Sequence, residues 1–199
     1  MKNIFAAFLL LLLVTSCVET VVVGSVATIA VVTREKTIRD SGEDIAIAVK
    51  IDKDFLTSGL KGVSNSIGVM VDEGRVLLTG VVRDVEKGQL AHEIIWKIKG
   101  VKEVIDEIEI SKEGVRIHDF SGSVTDSYIT AAIKIKLFFK PQIAPSNYKI
   151  TTFNRVVYLL GVYKSEDDLQ EVLQIVSKTS GVKKVVNYVI SANDSRRKS

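Results

Sequence analysis

The sequence predicts an α+β protein made of two tandem copies of one small module. Each copy is ordered α-β-β-α-β, with a three-stranded mixed sheet covered by two helices. Three observations carry this expectation. The chain matches itself at a spacing of 81–82 residues, apolar spacing switches from helical to strand period inside each copy, and glycines stand at the same places in both. A unit of about 70 residues exceeds a solenoid repeat, so the copies read as two small domains.

At a spacing of 81, Val76, Gly80 and Val81 correspond to Val157, Gly161 and Val162, and Ile94 and Lys97 to Ile175 and Lys178. Gly100, Val101, Lys102 and Val104 likewise correspond to Gly181, Val182, Lys183 and Val185. Upstream the spacing becomes 82, and Asp44, Ile47 and Ile51 correspond to Asp126, Ile129 and Ile133. The one-residue shift falls in the loop after the first helix.

The first element of each copy repeats apolar residues every four positions: Ile47, Ile51, Phe55 and Ile129, Ile133, Leu137. That spacing is one face of a helix. Alternation follows at Ile67, Val69, Val71 and at Tyr148, Ile150, Thr152, then a turn at 72–75 or 153–155, then a second strand at 76–82 or 156–163. Asp84 and Ser165 suit helix N-caps, and Ser165-Glu166-Asp167-Asp168 resembles a capping box. The next helices place Ala91, Ile94, Ile95, Ile98 and Val172, Ile175, Val176 on one face, with Gly100 and Gly181 as helix-terminating glycines. Residues 101–110 and 182–190 supply the last strands.

The N-terminus reads as an export signal. Met1 and Lys2 give a positive start, Ile4 to Val14 an uncharged apolar run, and Val14-Thr15-Ser16-Cys17 the small residues and cysteine of a bacterial lipobox. Cys17 is the only cysteine, so it forms no internal disulfide, and lipidation accounts for a lone thiol in an exported chain. An ordinary secreted protein with a chance cysteine is the alternative. In enterobacterial lipoproteins Asp after the lipidated cysteine favours inner-membrane retention, so by analogy Val18 points to the outer membrane. The apolar stretch Val21–Val32 has twelve residues, too short for a spanning helix of about 20, and reads as a membrane-proximal tether. A single uncleaved anchor from Ile4 to Val32 is the rival, and it would place Glu19 inside the apolar span. The expected organisation is a signal peptide at 1–16, a lipidated tether at 17–39, modules at 40–111 and 124–192, a linker at 112–123 and a basic tail at 193–199.

Gly-Val-x-x-Val after a helix, preceded by a Val-x-Leu-x-Gly strand, is the pattern of the BON domain, and both copies carry it. With Cys17, Val21-Val22-Val23-Gly24 and Asp126-Ser127-Tyr128-Ile129-Thr130, the chain resembles the dual BON-domain outer-membrane lipoproteins. It is also similar to the osmotically inducible periplasmic BON proteins, which lack a lipobox.

Chemistry of other kinds finds little support. Removing residues 1–16 lowers Lys+Arg from 27 to 26 against 24 Asp+Glu, a near-neutral balance unlike the basic excess of a nucleic-acid binder. The Arg196-Arg197-Lys198 tail reads as solvated, or as touching anionic lipid. His92 and His118 have no second His or Cys at ligand spacing and read as surface residues, so neither a metal nor another cofactor is expected. No phosphate loop or nucleophile elbow occurs, and the acidic groups at 72–73 and 166–168 fit a turn and a helix cap. No catalytic residues are expected. Trp96 projects away from the core stripe of its helix, half-exposed or covered by the other module.

Function is expected where the copies diverge. The first helix of copy one carries Ala46, Lys50, Lys53 and Thr57 beside its core stripe; copy two carries Tyr128, Ala132, Ile135 and Phe139 there. Phe138 widens this apolar arc, with Lys134, Lys136 and Lys140 among it. Three uses compete: a lipid surface, packing against copy one, and an envelope protein partner. The resemblance implies binding of anionic phospholipid through this helix, with an aromatic residue at Tyr128, core residues at Ile129, Ile133 and Leu137, and a basic residue at Lys134. Ala132 and Ile135 depart from it, which makes the face more apolar. The reading is therefore a non-enzymatic lipoprotein of the outer membrane, facing the periplasm, that binds anionic phospholipid through copy two (Tyr128, Ala132, Lys134, Ile135, Lys136, Phe138, Phe139) and supports envelope integrity. The alternative is a periplasmic protein–protein adaptor for envelope assembly machinery.

Overall fold

The computed structural model describes residues 38–61, 66–112 and 119–197; Cys17, the 21–32 stretch and His118 lie outside them. The first module contains α1 (Ile38–Thr57), β1 (Ser66–Asp72), β2 (Arg75–Val82), α2 (Val85–Trp96) and β3 (Glu103–Ile110). The second contains α3 (Asp119–Phe138), β4 (Tyr148–Phe153), β5 (Val156–Tyr163), α4 (Glu166–Ser177) and β6 (Lys184–Ser191). The expected α-β-β-α-β order holds in both. α1 begins inside the expected tether and α3 inside the expected linker, because no proline interrupts either segment.

Each sheet has its middle strand second in sequence. β2 pairs antiparallel with β1 through the 72–75 turn and parallel with β3 through the α2 crossover; β5 sits likewise between β4 and β6. Parallel neighbours require such a crossover, so the helix between them is part of the topology. Ile47, Ile51 and Phe55 of α1 pack with Ile67, Val71, Val76, Leu78, Ala91 and Ile95. Ile129, Ile133 and Leu137 of α3 pack with Tyr148, Ile150, Val157, Leu159, Val172 and Val176. Ile51 and Ile133 are both fully buried, as the repeat alignment requires. Both cores close among residues 38–197, so a fragment starting at residue 33 keeps them whole.

Repeated local devices hold these elements. Asp84 and Ser165 cap α2 and α4 by accepting from the backbone N–H of Lys87 (2.9 Å) and Asp168 (3.2 Å). The helices end earlier than the glycines suggest, with C-caps at Lys97 and Lys178. Gly100 (φ +99°) and Gly181 (φ +91°) lie in the following turn, where a Cβ would come within 3.1 Å of Ile47 Cδ1 and 3.0 Å of Ile129 Cδ1. Those glycines admit the first helix onto its sheet. Asp44 and Asp126 are buried and reach from the first helix to the hairpin turn. Asp44 accepts from the N–H groups of Glu73 (2.9 Å) and Gly74 (3.0 Å), and Asp126 from those of Asn154 and Arg155 (both 2.8 Å). All four turn residues have positive φ, and no strand partner serves their N–H groups there.

The modules meet through the sheet faces that the helices leave open. Leu77 and Ile105 pack on Tyr158 and Leu160, with Met70, Phe153, Val156, Val186 and Tyr188 around them. The layers therefore run helices, sheet, sheet, helices, and the two helical layers lie on opposite outer sides. This overturns packing of α3 on the first module, because the sheets supply the contact. A polar rim surrounds it. Arg75, almost fully buried, donates to Glu103 (2.6 Å) and to the Tyr188 carbonyl (2.9 Å), and the Tyr188 hydroxyl donates to Glu107. Within the tail expected to be solvated, Arg197 forms a bidentate pair with Glu73 (2.7 and 2.8 Å), so it ties the segment after β6 to the first module.

The interface carries a pH prediction. Burial, with Glu107 beside them, pushes the Tyr158 and Tyr188 phenols up to about 12 from 10.0. A raised folded-state pKa favours the protonated phenol in the folded state. That stabilisation is complete below pH 10 and is lost as pH rises through about 12. The sheet–sheet contact is expected to loosen across that window, followed by phenolate absorbance alongside near-ultraviolet circular dichroism. Ionisation of every tyrosine near pH 10 with the interface still closed would contradict it.

Candidate membrane-facing surface

α3 has two sides with different fates. Its 126, 129, 133, 137 stripe is buried against β4, β5 and α4. The flank facing away stays open: Tyr128 is 70% exposed, Ile135 59%, and Phe138 and Phe139 each 74%. Tyr128, Ile135 and Phe139 lie seven and four residues apart and share one stripe, with Ala132 half-buried between them. Phe138 and Phe139 meet edge to face, with ring centroids 5.5 Å apart. Trp96, 56% exposed on α2 in the opposite helical layer, does not cover them.

Lysines border this apolar surface. Lys134 is exposed one turn before Phe138. Lys136 reaches across to the turn after α4 and donates to the Thr179 hydroxyl (3.0 Å), a neutral partner that leaves its charge uncompensated among the described residues. Lys140 pairs with Glu171 (2.8 Å), which also accepts from Gln142 (2.6 Å). The hydrogen bond from Lys140, then that from Gln142, holds the Glu171 carboxyl below its ordinary value. Between α3 and α4 lies an open groove of about 440 Å³ with Ile135, Phe139 and Ile175 on its floor and Lys136, Lys140 and Lys178 around it. Ile175 and Lys178 lie outside the residues expected at the site from the sequence. The signal for them was present in the second helices, where Glu93 of the first copy becomes Gln174 of the second.

α1 corrects the view that the first copy has only a polar flank. Ile45, Val49 and Leu56 are each 63% exposed, on a stripe next to the lysines. Asp52, ion-paired with Lys61 (2.5 Å), interrupts that stripe, and aromatic residues are missing from it. His92 pairs with Asp106 (2.8 Å). Among the described residues, no group of three or more His, Cys, Asp or Glu side chains is placed to hold a metal, and no helix is long and apolar enough to cross a membrane.

A β-α-β crossover flanked by an antiparallel edge strand and a second helix, repeated with the same buried Asp at the hairpin turn, defines a tandem of homologous small α+β modules. Residues 43–112 and 125–193 each match the BON domain, and the chain belongs to the BON-domain family, as the motifs in both copies imply. It is 39% identical over 147 residues to the uncharacterized protein in the gshII 5′ region of Anaplasma centrale, covering 74% of this chain and 93% of that one. It is 26% identical over 170 residues to the outer membrane lipoprotein DolP of Haemophilus influenzae, covering 85% and 86%. It is 29% identical over 147 residues to the osmotically-inducible protein Y of Escherichia coli, covering 73% and 71%.

Proposed function

We propose that this chain is a non-enzymatic outer-membrane lipoprotein, anchored through Cys17 and facing the periplasm, that binds an anionic phospholipid surface through α3 and supports envelope integrity. The observation that carries the reading is the open stripe of Tyr128, Ile135, Phe138 and Phe139 with Lys134 and Lys136 beside it. An interfacial helix combines these parts: apolar and aromatic groups that leave water, and cations that meet lipid phosphates. The stripe is specific to one copy, since Ala46, Lys53, Leu56 and Thr57 hold the same positions in α1. The lipobox at Cys17 and the likeness to DolP, itself named an outer membrane lipoprotein, support the anchored setting.

The second reading is a protein–protein adaptor, favoured by Ile45, Val49 and Leu56 on the opposite outer side, which a bilayer under α3 would leave free. Co-sedimentation of residues 33–199 with vesicles separates the two. Binding that requires an anionic component and weakens with salt is the expected result. Absence of binding at any lipid composition would leave the adaptor.

A further inference from the structure

The groove between α3 and α4 has a composition that a flat contact with a bilayer does not require. Its floor is apolar, and among the described residues the carboxylate beside it is that of Glu171, taken up by Lys140. The first module provides an internal comparison, because the same positions there carry different residues. Lys136 stands where the first copy has Asp54, Gln174 where it has Glu93, Ile135 where it has Lys53, and Phe139 where it has Thr57. Two acids have been replaced by a cation and a neutral amide, and two polar floor positions by apolar ones. Ile94 and Lys97 are retained as Ile175 and Lys178.

Among the described residues, two of the groove's three lysines have no carboxylate partner. Lys136 is steered over the groove by Thr179, whose hydroxyl donates to the Ile175 carbonyl (2.8 Å) and accepts from the lysine. Lys178 is exposed at the end of α4. Lys140 is neutralised by Glu171, so the uncompensated charge lies at Lys136 and Lys178. We propose that this groove seats one anionic phospholipid molecule, with its phosphate between Lys136 and Lys178 and a fatty chain along Ile135, Phe139 and Ile175. The proposal rests on the lipid reading of α3 and adds α4 to the contact. Lipid recognition then has a stoichiometric component as well as adsorption to a surface.

A water-soluble lipid separates the two components. Residues 33–199 are titrated with dihexanoyl phosphatidic acid below its micelle-forming concentration, followed by calorimetry and by amide chemical shifts. Glycerol phosphate and dihexanoyl phosphatidylcholine serve as partners lacking chains or net charge. Saturable one-to-one binding of the phosphatidic acid is expected, with shifts at Ile135, Phe139, Ile175 and Lys178 and weaker binding of both comparison compounds. Lys178→Gln is expected to weaken it about fivefold, the effect of one lysine at a lipid phosphate. Lys136→Asp with Gln174→Glu, which restores the residues of the first copy, is expected to abolish saturation. Vesicle binding without monomeric lipid binding would overturn the groove and leave the surface reading standing. Saturable binding of monomers without vesicle binding would do the reverse. Equal affinity for glycerol phosphate, or indifference to both variants, would also overturn the groove.

Discussion

Replacing both Phe138 and Phe139 with serine is expected to weaken binding of residues 33–199 to anionic vesicles by at least one hundredfold while leaving thermal stability unchanged. Full burial of an apolar side chain is worth about 1.5–3 kcal/mol, so two rings supply about 3 kcal/mol or more, and each 1.4 kcal/mol is tenfold. Both rings lie outside the packed core, and exposed substitutions of this kind stay within about 0.5 kcal/mol of neutral for folding. Tyr128→Ala with Ile135→Ser acts in the same direction from the other end of the stripe. Vesicle flotation and a melting curve on the same samples decide the matter. A variant that melts early and still binds lipid would mean that the stripe serves packing.

The second large effect concerns stability. Asp126→Ala is expected to cost roughly 3 kcal/mol, because the buried carboxylate gives up two hydrogen bonds to turn N–H groups and a hydrogen bond to a charged group is worth about 1.5–3 kcal/mol. Asp44→Ala should cost at least as much in the first module, where the geometry is repeated and Gly74 is itself buried. Asp126→Asn keeps one acceptor and should fall between. Arg155→Gly should recover part of the loss, since Arg155 holds φ +64° where the first copy has Gly74. Urea unfolding monitored by circular dichroism measures all four. A loss below about 1 kcal/mol for either alanine variant would show that water serves these groups as well as the carboxylate does.

These two effects differ in how far the sequence foretold them. Asp44 and Asp126 stood out as a matched pair in the repeat, yet nothing local announces that a helix carboxylate will reach a turn 29 residues away. That role depends on the approach of α1 to the β1–β2 hairpin, which Gly100 permits by presenting no side chain to Ile47. The divergent α3 stripe was legible because the copies serve as each other's reference: apolar residues at surface positions that the first copy leaves polar are not called for by the fold the copies share. Its exposure was not legible, because the same apolar residues would suit packing on the first module.

The sequence alone determined the repeat, the element order, the two helix-facing cores and the family. Each depends on periodicity and turn chemistry, which act over a few residues and leave a local imprint. The tertiary structure decided which faces remain. The Val76-Leu77-Leu78 run is buried on both faces, and its second face is covered by the distant strand that carries Tyr158 and Leu160. Because the sheets satisfy each other, α3 is left outward. The C-terminal Arg197 lands on Glu73, and Lys136 and Lys178 come together across a groove that joins residues 42 apart in the chain. These approaches follow from the packing of distant segments, driven by apolar area removed from water, a sum that no local stretch of sequence contains.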